Sequence, residues 1–499
     1  MNPLKRLTST IFLMIAATLS AGSAAAQDTR TVTEPVIPPS CVVLTAEKTG
    51  HAEILPASEE TSTDTARLQK ALDGCKPGKA VELAMGAAKD GSRHNAFLTG
   101  SLDLREGVTL LVDKGVTLYG SRNPKDYDPD PSDKGPLVCG TLTNTSVSFD
   151  PSTTYYVGEV NKLPGRPCKP LISITNVKNA AIMGDGIIDG RGGEPIVGHD
   201  YSWWQMARAA EPKQLSYFSA LMIVANHADG FVLYRITLHN APNYNVFVDG
   251  TNGFTAWGVH ILSPTVAGTD DRNTDGINPR SSTNVTIARC WIENGDDNIS
   301  IKTGVSHMSV LDSHFYSGHG MSIGSETQTG DSFLYVNGLT EDHTTSGIRV
   351  KSNAQRGGQV HDLVYKNICM RDVAVPIAIS PFYNNGTTEG FVDPGIKGNL
   401  IPEFSNITIQ NVFDTTPGNV LIAGKDADHI TGVTLDGVAI NGIKPDQVHS
   451  QFSHITITGR GTQLHFSGNG VVVQGQAANS GAGLDADAQA CSDKFVPMQ

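Results

Sequence analysis

Aromatic residues make up only 6% of this 499-residue chain, acids outnumber Lys and Arg by 50 to 37, and no stretch reaches 18 consecutive apolar residues. Each shortage excludes something. Without a long apolar run, no segment is expected to cross a bilayer as a helix. A formal charge of −13 argues against nucleic acid or an anionic membrane as a partner, because both are bound through clustered cations. The seven cysteines, at 41, 75, 139, 168, 290, 369 and 491, show no zinc-ligand spacing. Glycine, by contrast, is plentiful at 52 residues, which with so few aromatics suits a chain of many short strands and turns.

The first residues read as an address. Lys5 and Arg6 precede an apolar or small stretch from Ile11 to Ala21, and Ser23-Ala24-Ala25-Ala26 ends in an A-x-A pattern before Gln27. This predicts a signal peptide over residues 1–26 and a secreted, soluble mature chain over 27–499, acting as a monomer. Loss of Lys5 and Arg6 takes the charge from −13 to −15. In an oxidising compartment the expected bridges are local in sequence, Cys41 with Cys75 and Cys139 with Cys168. Cys290 and Cys369 lie in strand-like runs, "IARCWIE" and "KNICMRD", and are read as small buried hydrophobes. The odd count leaves at least one thiol free.

Length alone suggests two or more domains, but an internal repeat says otherwise. Short alternating runs recur at Ile277, Ile299, Met321, Ile348, Ile377 and Val420, at steps of 22, 22, 27, 29 and 43 residues, each preceded by another strand-like run such as "NVTIARCWIE" or "FSNITIQNV". That spacing predicts an all-β chain folded as one right-handed parallel β-helix over 27–499. Its open N-terminal end needs a cover. "TSTDTARLQKALDGC" supplies a capping helix, with Thr63 or Asp64 as N-cap, Leu68 and Leu72 on one face, and Gly74 as the stop. Residues 470–499, rich in Ala, Gly, Ser and Asp, are expected to be a loosely ordered tail.

In this phase Asp275, Asp297 and His319 each stand two residues before a repeat position. Their side chains should stack in one column on coils about 4.8 Å apart. Asp296 stands beside the column, and Arg349 and Lys351 share a strand face on the next coil. "GDDN" alone is a common solvated turn. Stacked carboxylates repel, however, unless they share protons or hold a cation or substrate, so calcium binding and acid/base chemistry both remain open on this reading.

Four motifs narrow the choice. "NTDGINP" at 273–279, "GDDNISIK" at 295–302, "SGHGMSIGSE" at 317–326 and "GIRVKS" at 347–352 resemble, in order, those of glycoside hydrolase family 28, the polygalacturonases. Similarity to bacterial endopolygalacturonases runs from about residue 30 to about 440, and the last 60 residues or so and parts of 120–165 and 384–402 read as local elaborations. The resemblance implies cleavage of α-1,4-galacturonosyl bonds in polygalacturonate with inversion, and neither cofactor nor metal. It makes Asp296 the acid, Asp275 and Asp297 the pair acting on water, and His319 a residue that tunes the acid or holds substrate. Arg349 and Lys351 would bind the galacturonate carboxylate, with Tyr383 beside the cleaved bond and Asn273 orienting its neighbours. Lys302 and Arg280 are further candidate cations. Endo action is expected. Exo action, rhamnogalacturonan hydrolysis, a pectate lyase and a non-catalytic adhesin are the alternatives.

Overall fold

The repeat read from Ile277 onward is the register of a sheet. A computed structural model describes residues 27–51, 54–87, 91, 93–128, 139–140, 142–143, 168–210, 216–264, 271–384, 395–475 and 490–498. The predicted signal peptide lies outside them, as do most of 126–165 and residues 385–394. Five strands matter most here: β1 (Ile277–Arg280), β2 (Ile299–Ile301), β3 (Met321–Ile323), β4 (Ser346–Lys351) and β5 (Val375–Ser380). Ile277 pairs with Ile299, Ile299 with Met321, Met321 with Ile348, and Ile348 with Ile377, all in parallel. These side chains are fully buried, so the phase that aligned them in sequence is the phase that faces the core.

The five belong to an 11-stranded parallel sheet running from Leu102–Asp103 to Val448–Gln451. A 22-stranded sheet supplies the other two faces. Thr283–Ala288 and Trp291–Glu293 of one coil, for example, pair with Ser306–Leu311 and His314–Tyr316 of the next. The result is a right-handed parallel β-helix with three strands per coil. Five successive coils turn one corner through a left-handed residue, Asn284, His307, Phe333, Asp362 and Asn406, at φ 50–58°. Asn and Asp tolerate that conformation because their short polar side chains bond locally.

The N-terminal end is closed by α1 (Thr65–Gly74), whose Leu68 and Leu72 are fully buried. Asp64 occupies the N-cap position, but its carboxylate does not cap the helix. Its Oδ2 accepts from the Leu98 amide at 2.8 Å and its Oδ1 from Arg67 Nε at 2.9 Å, which fastens α1 to the coil it covers. A second device crosses the side of the helix. The Asp28 amide donates to Ser309 Oγ at 3.0 Å, Thr286 Oγ1 donates to Asp28 Oδ2 at 2.7 Å, Arg30 donates to the carbonyls of Gly253 and Phe254, and Tyr234 Oη donates to Glu34 Oε1.

Cys41–Cys75 and Cys139–Cys168 are bonded as the sequence suggested, and Cys290 is free and buried. Cys369 is not the buried hydrophobe expected. It alternates outward between Ile368 and Met370 and is bonded to Cys491, with Cα atoms 5.6 Å apart. The tail is corrected with it. Residues 476–489 lie outside the described residues, but Val472–Gln474 forms a further rung, Cys491 is buried against Phe413 and Ala439, Arg371 lies over the Phe495 ring, and Tyr316 Oη donates to the Val496 carbonyl at 2.7 Å. Cys491→Ser should release this end. The bridge closes a loop of 122 residues, which in a chain-entropy treatment is worth about 5 kcal/mol. A lower Tm and early protease clipping near residue 490 are expected, and an unchanged melt and digest would contradict the clip.

Candidate active site

Buried amides shape the catalytic corner from inside. Asn245 Nδ2 donates to the Thr274 carbonyl at 2.9 Å, and Asn294 Nδ2 donates to the carbonyls of Thr274 and Asp297 at 2.9 and 3.0 Å. Asn298 Oδ1 accepts from the Gly320 amide at 2.8 Å. This packing leaves no room at Gly276, where a Cβ would sit 2.3 Å from the Asn298 carbonyl oxygen. The corners leading into β1, β2 and β3 are thereby held with Asp275, Asp296–Asp297 and His319 on the outer side of the sheet.

The three aspartates then differ sharply in surroundings. The side chains of Asp275 and Asp297 are 4% and 2% exposed, whereas Asp296 and His319 are 24% and 30% exposed. Asp297 Oδ1 accepts from Ser322 Oγ at 2.8 Å, Arg349 Nη1 at 3.0 Å and Lys351 Nζ at 3.1 Å, and its Oδ2 accepts from Ser300 Oγ at 2.8 Å and Lys351 Nζ at 2.9 Å. Asp275 Oδ2 accepts from Asn278 Nδ2 at 2.9 Å and lies 3.8 Å from Lys302 Nζ. His319 Nδ1 is 3.4 Å from Asp296 Oδ1 and 3.8 Å from Asp297 Oδ1. The carboxylates are outside the apolar core, but two of the three are buried under their own partners.

These surroundings split the acidities. Burial pushes the Asp275 carboxyl well up, and the charge on Asp296 adds to it, with Lys302 opposing. Burial acts upward on Asp297 too, but Lys351 and Arg349 outweigh it and hold that carboxyl far below the ordinary range. For Asp296 burial is outweighed by the hydrogen bond to His319, and the net direction is down. Of the three carboxyls, Asp275 is therefore the one that holds a proton most tightly in the free protein.

The structure brings the remaining candidates to the same corner, with one exception. Tyr383 covers the cations, its ring centroid 5.9 Å from the Arg349 guanidinium and 5.2 Å from Lys351 Nζ, and burial pushes its phenol up to about 12. Asn273 adopts φ 57° and accepts from Tyr217 Oη at 2.8 Å. Lys302 joins the cluster. Arg280 instead turns toward Asp249, 3.9 Å away. Sequence reasoning missed Asn278, Ser300 and Ser322, the outward residues of β1, β2 and β3 that hold the aspartates. The signal was there, since each lies three residues after Asp275, Asp297 or His319.

Oxygen and nitrogen atoms of Asp296, Asp297 and His319 lie within 4.8 Å of one another and are of the right type for a cation. The fit is poor. Both Asp297 oxygens are already occupied by two cations and two hydroxyls, so a divalent ion there would sit against Arg349 and Lys351. What the corner offers is an exposed carboxyl with an imidazole, set over a buried carboxylate and two buried cations.

The model of the glycosyl hydrolases family 28 matches residues 130–458. A polygalacturonase from Ralstonia nicotianae is 34% identical over 98% of this chain and 97% of its own length, so the last 60 residues are not a private elaboration. An endo-polygalacturonase from Pectobacterium carotovorum is 36% identical over 85% of this chain and 92% of its own. Among solved structures, a polygalacturonase from Erwinia carotovora superposes with a TM-score of 0.68 at 34% identity, over 85% of this chain and all of that one. The chain is a glycoside hydrolase and belongs to glycosyl hydrolases family 28.

Proposed function

We propose that this chain is an exported, monomeric, endo-acting polygalacturonase that hydrolyses α-1,4-galacturonosyl bonds with inversion. The observation that carries the reading is the charge of the corner. Arg349 and Lys351 set two positive charges behind Asp297, and once Asp296 is protonated only Asp297 opposes them, leaving an excess that a galacturonate carboxylate neutralises. Export is supported by three disulfides and by the leader-like first 26 residues.

Asp296 is the general acid, since it alone of the three aspartates faces the groove. An incoming galacturonate adds negative charge next to it and competes for His319. Both effects raise its pKa, so the proton passes to Asp296 and Asp275 is left ionised. Water then attacks C1, its proton goes to the Asp275–Asp297 pair, and the Asp296 proton goes to the departing glycosidic oxygen. The close approach of Asp296 to Asp297 would by itself suit a retaining pair. Asp297 is a poor nucleophile, though, with 2% exposure and both oxygens engaged. A single displacement by water is left, and the anomer first seen by NMR tests it.

Purified protein with polygalacturonate and a chelator should give new reducing ends without ultraviolet-absorbing unsaturated products. Unsaturated products that require calcium would mean a lyase, and binding without turnover an adhesin. Endo action, supported by the likeness to the endo-polygalacturonase from Pectobacterium carotovorum, predicts that viscosity collapses after a small fraction of bonds is cut. Monomer or dimer as the sole early product, with slowly falling viscosity, would mean exo action.

A further inference from the structure

Lys302 is not consumed by the chemistry just described, yet it lies in the floor of the site. Its Nζ stands 3.8 Å from Asp275 Oδ2 and 3.5 Å from Glu326 Oε2, over the Tyr244 ring at 5.8 Å. Glu326 Oε1 in turn accepts from Arg356 Nη1 at 2.9 Å. The four groups form an alternating row, Asp275, Lys302, Glu326, Arg356, contributed by four successive coils. Lys302 and Glu326 are only 14% and 20% exposed, so water screens the row weakly. Arg356 is fixed at the far end, where Gln355 Nε2 donates to the Lys397 carbonyl at 3.2 Å and the Leu400 amide donates to Ala354 O at 3.0 Å.

We infer that Lys302, Glu326 and Arg356 are positioning residues that together set the pH at which Asp275 loses the proton it passes to Asp296, and hence the alkaline limb of activity. This rests on Asp275 belonging to the base pair. The charged groups acting on Asp275 are Asp296 and Asp297, which favour its proton, and Lys302, which opposes it. Lys302 is in turn opposed by Glu326, 3.5 Å away. Glu326 draws the ammonium away from Asp275, and Lys302 and then Arg356 hold the Glu326 carboxyl down against its burial. Loosening Glu326 lets Lys302 close on Asp275, while removing Lys302 leaves Asp275 among carboxylates alone. The two changes act on one carboxyl with opposite signs, which a purely structural role for either residue would not produce.

The test is the pH profile of kcat/KM on polygalacturonate, whose alkaline limb reports loss of the proton that Asp275 holds in the free enzyme. Lys302→Met should move the limb up by roughly one unit, in line with loss of an opposite charge at this range. Glu326→Gln should move it down, and Lys302→Arg should leave it in place. If Lys302→Met does not fold, the Glu326→Gln and Lys302→Arg pair still decides. Limbs that move the same way in Lys302→Met and Glu326→Gln, or that do not move, would overturn the relay. Turnover retained in Asp275→Asn would overturn the base assignment and the relay with it, whereas an inactive Asp275→Asn with unmoved limbs would overturn the relay alone.

Discussion

Asp296→Asn should lower kcat on polygalacturonate by about 10²- to 10⁴-fold, the usual worth of a general acid, with little change in Tm. The asymmetry follows from its position. Asp296 is the one aspartate of the three open to the groove, and the bond its Oδ1 accepts from the Asp297 amide at 2.9 Å is one an asparagine oxygen also accepts. What disappears is the proton for the departing oxygen, needed only in the transition state, so kcat and kcat/KM should fall together. A substrate whose leaving group needs no proton should lose much less. More than about a tenth of wild-type kcat remaining on polygalacturonate, where the acid is worth 10²-fold or more, would end the assignment.

Asp297→Asn and Asp275→Asn should both abolish turnover while moving stability in opposite directions. Asp297 neutralises Arg349 and Lys351, both buried, and breaking a buried pair by removing one partner costs about 3–5 kcal/mol. Because its carboxyl is held below its unfolded value, its contribution is present above the unfolded pKa of about 4 and is lost as pH falls through the folded value. Asp275 is the reverse case. Its folded pKa is raised, so its contribution is present below about pH 4 and is lost as pH rises through the folded value. Asp275→Asn, which is neutral at every pH and keeps an acceptor for Asn278, should therefore melt higher than wild type at pH 7. Melting curves of both variants from pH 4 to 8 check this, and a destabilised Asp275→Asn at neutral pH would contradict the assigned proton.

The coils were legible because one physical requirement repeats. Every coil must bury a large apolar side chain at the same phase, so Ile277, Ile299, Met321 and Ile348 mark the register, and the column of Asp275, Asp297 and His319 follows from it. The inner Asn294 and Asn298 were not legible, since a buried amide and a turn amide look alike in sequence. Cys369 was misjudged for a different reason. Parity within "NICMR" puts Ile368 and Met370 inside and Cys369 outside, but its partner stands 122 residues away and no local pattern announces it. Burial of Arg349 and Lys351 escaped too, because sequence reports charge and not what lies over it. The same limit hid which aspartate carries the proton.

The segment from Asp28 to Glu34 gives the order of synthesis a physical meaning. It leaves the ribosome early, yet its seat at Ser309 lies 281 residues later in the chain. Until the central coils exist it has nothing to hold, so it stays open chain while they are being made. Once seated, it changes how the molecule comes apart. Coils in a solenoid ordinarily answer only to their neighbours, and each can fray alone. A strand of chain laid across Tyr234, Phe254, Thr286 and Ser309 ties those coils into one block, so the rungs that carry the aspartates open together or not at all.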